Sequence, residues 1–134
     1  PRGLGLGAAT DDPIALANRA VREANTAIRE KDAVGLRQAA EKGWLAATAT
    51  ADVAADRLGR PIPGGLNGRL RTLEEVERGA RLRPGVLIKP FSVAQAILHG
   101  ACFYEDRCPP ESALLGILED VQGLAKGQQP GAPA

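Results

Sequence analysis

His99 is the only histidine of the chain, and a lone imidazole that titrates near neutrality can give or take a proton for a reacting group. One histidine with no second acid–base group is an incomplete site. The competing reading is a histidine at a helix surface or dimer seam that hydrogen-bonds a neighbour. Glu41, Lys42 and Trp44 form a second candidate, because a carboxylate and an ammonium beside an indole can hold a polar ligand. The same residues fit a structural role, with Trp44 filling the core and the charges anchoring a helix, Glu41 reaching Arg37 one turn away. Tyr104, followed by Glu105, Asp106 and Arg107, closes a helix with mixed charge. Glu41, Lys42, Trp44, His99 and Tyr104 are thus the candidate binding residues, and they assemble no catalytic set.

A basic run is the other chemical signal. Arg57, Arg60, Arg69, Arg71, Arg78 and Arg81, continued by Arg83, outnumber Glu74, Glu75 and Glu77. Converging guanidinium forks contact phosphates, yet no aromatic platform accompanies these for stacking single-stranded bases. A solvated loop and helix surface is the simpler account. Gly3, Gly5 and Gly7 make no phosphate loop, lacking the later glycines, the Lys-Ser/Thr pair and a preceding strand. Cys102, Cys108 and His99 lack the paired close spacings of a zinc site, so neither a metal nor a cofactor is expected.

These residues must be positioned by a chain of 134 residues with net charge +1, 44% hydrophobic and only 3% aromatic. That length suits one core. The near-zero charge gives no global field toward nucleic acid or membrane. With few aromatics the core is built from Ala, Leu, Val and Ile, and alanine-lined helices approach closely. No stretch is long and apolar enough to span a bilayer, and Pro1–Asp12 lacks the apolar centre of a secretion signal. Two cysteines in a core-bearing domain suggest reduced thiols more than a disulfide framework, which makes the cytoplasm the expected location.

Apolar spacing and stop signals predict an all-α, up-and-down bundle of about five helices over residues 13–126, between tails at 1–12 and 127–134. Asp12 with Pro13 opens the first helix, whose Ala17, Val21, Ala24 and Ile28 share a face. Asp32 caps a second helix from about Ala33 to Leu58, stopped by Gly59. Its alanines run nearly all the way round, so it should touch neighbours on several sides. Gly59–Arg71, rich in Pro and Gly, reads as a long exposed connection. Thr72 with Glu75, and Ser92 with Gln95, have capping-box spacing and predict the starts of helices three and four. Arg83–Phe91 reads as an irregular segment lying against the core. Pro109 and Pro110 preset a last helix with Leu114, Ile117, Leu118, Val121 and Leu124 on its apolar face.

The phrase Ala40-Glu41-Lys42-Gly43-Trp44-Leu45-Ala46-Ala47, together with Leu98-His99-Gly100-Ala101-Cys102-Phe103-Tyr104-Glu105-Asp106, resembles the PaREP-type branch of the HEPN superfamily. Glu30-Lys31-Asp32 and the alanine-rich run to Gly59 fit the same pattern, and the resemblance covers about residues 14–125. It implies an up-and-down helical bundle that pairs into homodimers. Many superfamily members are ribonucleases or toxin partners whose site pairs an Arg with a His a few residues later. Here Ser92, Val93, Ala94 and Gln95 precede His99, and the nearest basic residue upstream is Lys89, beyond Pro90. The nuclease pattern is therefore broken. A noncatalytic homodimeric interaction or accessory protein, with an unidentified protein partner, is the leading expectation. A nucleotide- or RNA-binding module is the alternative, and a divergent ribonuclease a more distant one.

Overall fold

The first helix, α1 (Pro13–Glu30), begins as its residues dictate: the Asp12 carboxylate accepts the Ile14 N–H at 3.0 Å, and Pro13 occupies a position whose N–H would have no helical partner. A computed structural model describes residues 12–62 and 64–127; the expected tails at 1–12 and 127–134 lie outside them except for Asp12 and Gly127. Lys31 ends α1 in the left-handed region, at φ 55°. The Lys31 N–H then bonds to Ile28 O at 3.2 Å and the Asp32 N–H to Ala27 O at 2.8 Å, the two closing bonds of a Schellman turn. Asp32 turns at once into the cap of α2 (Ala33–Arg57), accepting the Gly35 N–H at 2.9 Å.

Gly59 (φ 71°) and Arg81 (φ 57°) close α2 and α3 (Leu66–Gly79) with the same pair of bonds. The chain continues through α4 (Ile88–Val93) directly into a π-helical segment, Ala94–Tyr104, and ends with α5 (Glu111–Lys126). The result is an all-α helical bundle. Helix α2 lies at its centre, touching α1, α3, the π segment and α5.

Small side chains explain that central position. Helices α1 and α2 pack against each other, and Ala17, Ala20, Ala24 and Ala27 of the first and Ala39, Ala40, Ala46 and Ala47 of the second are all buried. Gly43 matters most, because a Cβ there would fall inside the van der Waals surface of Leu118, on α5, and within 3.0 Å of Leu98 on the π segment. Around this thin axis the larger buried side chains, Phe91, Leu73, Leu98, Leu114, Leu118 and Val121, complete the core.

Several expected boundaries move. Helix α3 starts at Leu66 rather than at Thr72, which sits inside it and returns its hydroxyl to Gly68 O at 3.0 Å. The exposed connection is correspondingly shorter than Gly59–Arg71. Ser92 likewise lies within a helix already begun at Ile88, so neither capping-box spacing marks a start. The N-terminus of α4 is capped from another element. The buried Glu77 carboxylate on α3 accepts N–H groups of Gly85 (2.9 Å), Leu87 (2.7 Å) and Ile88 (3.0 Å). Gly85 meets this demand at φ 90°, a backbone state open to glycine. Burial alone would raise the Glu77 pKa, but the three backbone donors outweigh it and hold the carboxyl below its ordinary value.

The cysteines are a further correction. Cys102 and Cys108 are joined in a disulfide rather than standing as reduced thiols. The chain reverses at Asp106 (φ 54°), with the Glu105 N–H bonded to Gly100 O at 3.0 Å and the Arg107 N–H to Ala101 O at 2.7 Å. This turn brings Cys108 back over the segment it has just left, which a straight helix end would not do.

Gly43→Val is expected to lower unfolding stability by about 1–3 kcal/mol through overpacking against Leu118 and Leu98, measured by urea denaturation. Glu77→Gln turns an amide N–H₂ toward at least one backbone donor and is expected to cost about 2 kcal/mol at neutral pH. Because the folded-state pKa is depressed, the Glu77 contribution is complete above the ordinary carboxylate range and is lost as pH falls through the depressed value. The stability gap between wild type and Glu77→Gln should therefore narrow on acidification; a pH-independent gap would contradict it.

Candidate functional site

The π segment is what brings the candidate residues together. In an α-helix, residues five apart stand about 140° from each other around the axis. Bonds from i to i+5 instead return residue i+5 close above residue i. His99 and Tyr104 are separated by five, and their rings meet edge to face with centroids 4.8 Å apart. Such wide helical turns are rare and recur at functional sites.

From the facing helix, Glu41 places Oε1 2.8 Å from His99 Nδ1. A carboxylate only accepts, so the proton between them belongs to Nδ1–H, and neutral His99 presents Nε2 as its accepting nitrogen. Both side chains are about a quarter exposed. Trp44, three residues after Glu41 on the same helix, packs its ring 5.3 Å from the imidazole and 5.2 Å from Phe91. Phe103 touches Tyr104 at 5.2 Å. The chain contains one Trp, one Tyr and two Phe, so every aromatic ring lies in one string running from buried Phe91 through Trp44, His99 and exposed Tyr104 to Phe103.

Arg37, one turn before Glu41, supplies the next contact. Its Nη2 donates to Phe103 O at 2.6 Å and its Nε stands 3.6 Å from Asp106 Oδ1, leaving that buried nitrogen with no hydrogen bond. A guanidinium at the end of a helix offsets the partial negative charge of its last carbonyls. Arg37 thus clamps the end of the π segment while Glu41 grips its middle.

Of the residues expected from sequence, the structure gathers Glu41, Trp44, His99 and Tyr104, and separates Lys42 from them. Lys42 points to α1, where its Nζ meets Glu23 Oε1 at 2.5 Å. The arginines do not converge either. Arg69 forks onto Asp52 (3.0 and 3.2 Å), Arg60 reaches Glu75 (2.7 Å) and Arg78 reaches Glu74 (3.4 Å). Arg57, Arg71 and Arg81 are exposed and enter no ion pair among the described residues. Arg37 and Asp106 are the functional candidates that sequence reasoning passed over as sites. Arg37 had appeared only as a neighbour of Glu41, and the i, i+4 spacing of the two was the available signal.

Chemically, Glu41–His99 is an oriented imidazole, able to accept or relay a proton at Nε2. Among the described residues no free thiol stands beside it, since both sulfurs are bonded to each other, and Tyr104 meets the ring by its edge. Among the described residues no three His, Cys, Asp or Glu side chains converge to hold a metal ion, and no helix is long and apolar enough to cross a membrane. No family model, curated protein or solved structure matches the chain.

Arg37→Leu is expected to cost roughly 1 kcal/mol, a charge-assisted bond discounted for partial exposure. Arg71→Ala should change stability by less than about 0.5 kcal/mol. Equal effects of the two in parallel urea titrations would contradict the clamp.

Proposed function

We propose that this chain is a noncatalytic, HEPN-like interaction or accessory module of the cytoplasm that pairs with a second copy of itself. The observation carrying this reading is the partner of the sole imidazole. Glu41, not a guanidinium, faces His99, and Arg37 is turned to the Phe103 carbonyl and Asp106. The carboxylate orients the imidazole, and the guanidinium that an RNA-cleaving Arg–His pair would need is engaged elsewhere, which supports the noncatalytic reading.

Pairing is supported by the face around Glu41. Positions 34, 38, 41 and 45 recur at helical spacing and share one side of α2. Val34 is 60% exposed, Leu45 46%, and Tyr104, beside His99, 67%. Large apolar side chains at this exposure flanking an oriented polar pair suit the mixed character of a protein–protein contact. The alternative, a nucleotide- or RNA-binding module, draws on exposed Arg57, Arg71 and Arg81. It predicts salt-sensitive binding of short RNA.

Sedimentation over a wide concentration range is expected to show a monomer–dimer equilibrium that Leu45→Arg shifts to monomer without loss of cooperative unfolding. A monomer at every concentration would overturn the pairing, and RNA binding at low salt weakened by Arg71→Ala would establish the alternative.

A further inference from the structure

We infer that the Cys102–Cys108 disulfide is a redox-responsive lock on the π segment: a dithiol reductant opens it at Cys108, and opening it parts Tyr104 from His99 and Asp106 from Arg37. This goes beyond the pairing proposed above and does not rest on it.

Placement is the argument. The bond joins the π segment to the reversing turn, and the residues it encloses include Phe103, Tyr104 and Asp106. Each of these holds one contact of the candidate site: the Phe103 carbonyl accepts Arg37, Tyr104 packs on His99, and Asp106 faces Arg37. Within the same loop, Asp106 occupies the left-handed region at φ 54°, a conformation uncommon for a residue other than glycine that persists where its surroundings hold it. The wide helical register is likewise uncommon beyond a single turn. Once the sulfurs separate, the segment is free to return to i→i+4 bonding, which carries Tyr104 about 140° around the axis from His99. The Glu41–His99 and Trp44–Phe91 contacts lie outside the closed loop and remain.

Access decides the order of chemistry. Cys102 is fully buried, whereas Cys108 is partly exposed in the turn. A thiolate of the dithiol attacks Cys108 Sγ; the S–S bond breaks, and its electron pair leaves on Cys102 Sγ, which takes a proton. The second thiolate of the reductant then attacks the reductant's own sulfur in the mixed disulfide and expels Cys108 as a thiolate, which is protonated in turn. Two electrons and two protons pass to the protein, and the reductant ends as a cyclic disulfide.

The chain carries one His, one Trp and one Tyr, so each ring gives a single set of NMR signals. The full-length protein is oxidised with glutathione disulfide, titrated anaerobically with dithiothreitol, and scored for free thiols by alkylation and mass. Reduction is expected to abolish the His99–Tyr104 cross-peak and to speed amide exchange at Glu105 and Arg107 by about tenfold or more. The His99–Trp44 cross-peak and cooperative thermal unfolding should remain, and reoxidation should restore the first pattern. Cys108→Ala should show the reduced pattern without reductant. A His99–Tyr104 cross-peak that survives reduction or persists in Cys108→Ala would overturn the lock. So would unfolding of the whole bundle on reduction, a bond that dithiothreitol leaves closed in the native protein, or thiols that glutathione disulfide fails to join.

Discussion

The run of small buried side chains on α2, interrupted by Trp44, is the constraint on which the rest of the molecule depends. Buried alanines and Gly43 let α1, α5 and the π segment approach one axis together. Dispersion falls off steeply with separation, so many small contacts at close range substitute for the few large ones that an aromatic-rich core would make. The four buried alanines of α1 belong to that close-packed contact, with Ile14, Leu16 and Val21 packing at its margin. A frame built this way is intolerant of added volume at its centre and tolerant at its rim.

The candidate site inherits its geometry from that frame. Because α2 runs through the middle, the face it turns outward carries Arg37 and Glu41 past the π segment, where they meet its end and its middle respectively. The widened backbone supplies the other half by stacking two rings that ordinary helical spacing would separate. Neither half makes a site alone. Arg37 needs a carbonyl exposed by a helix that ends at the right height, and His99 needs a carboxylate from a neighbour fixed by alanine contacts.

How much of this the sequence disclosed depends on whether a signal is local. Asp12-Pro13 and Asp32 marked helix starts correctly because a cap acts within three residues. Gly59 announced its left-handed turn, whereas Lys31 and Arg81 adopt the same conformation with side chains that carry no such signature. The spacings Thr72–Glu75 and Ser92–Gln95 misled because a three-residue interval recurs inside helices as readily as at their ends. Glu77 counted only as one negative charge among arginines; its three backbone donors come from a loop whose path no pattern specified. His99 and Tyr104 were each singled out, but their meeting was invisible to any reading that assumed 3.6 residues per turn. The cysteine pairing was missed for the same reason, since it depends on the turn that closes the widened segment.

The single string of rings from Phe91 to Phe103 has a consequence for watching this protein. Its intrinsic ultraviolet emission and its near-ultraviolet dichroism arise from one narrow line of side chains, while the backbone signal arises from the alanine frame around it. The two kinds of light therefore interrogate different parts of the same small molecule. Optical changes that leave the peptide signal untouched report on the neighbourhood of the imidazole rather than on the bundle.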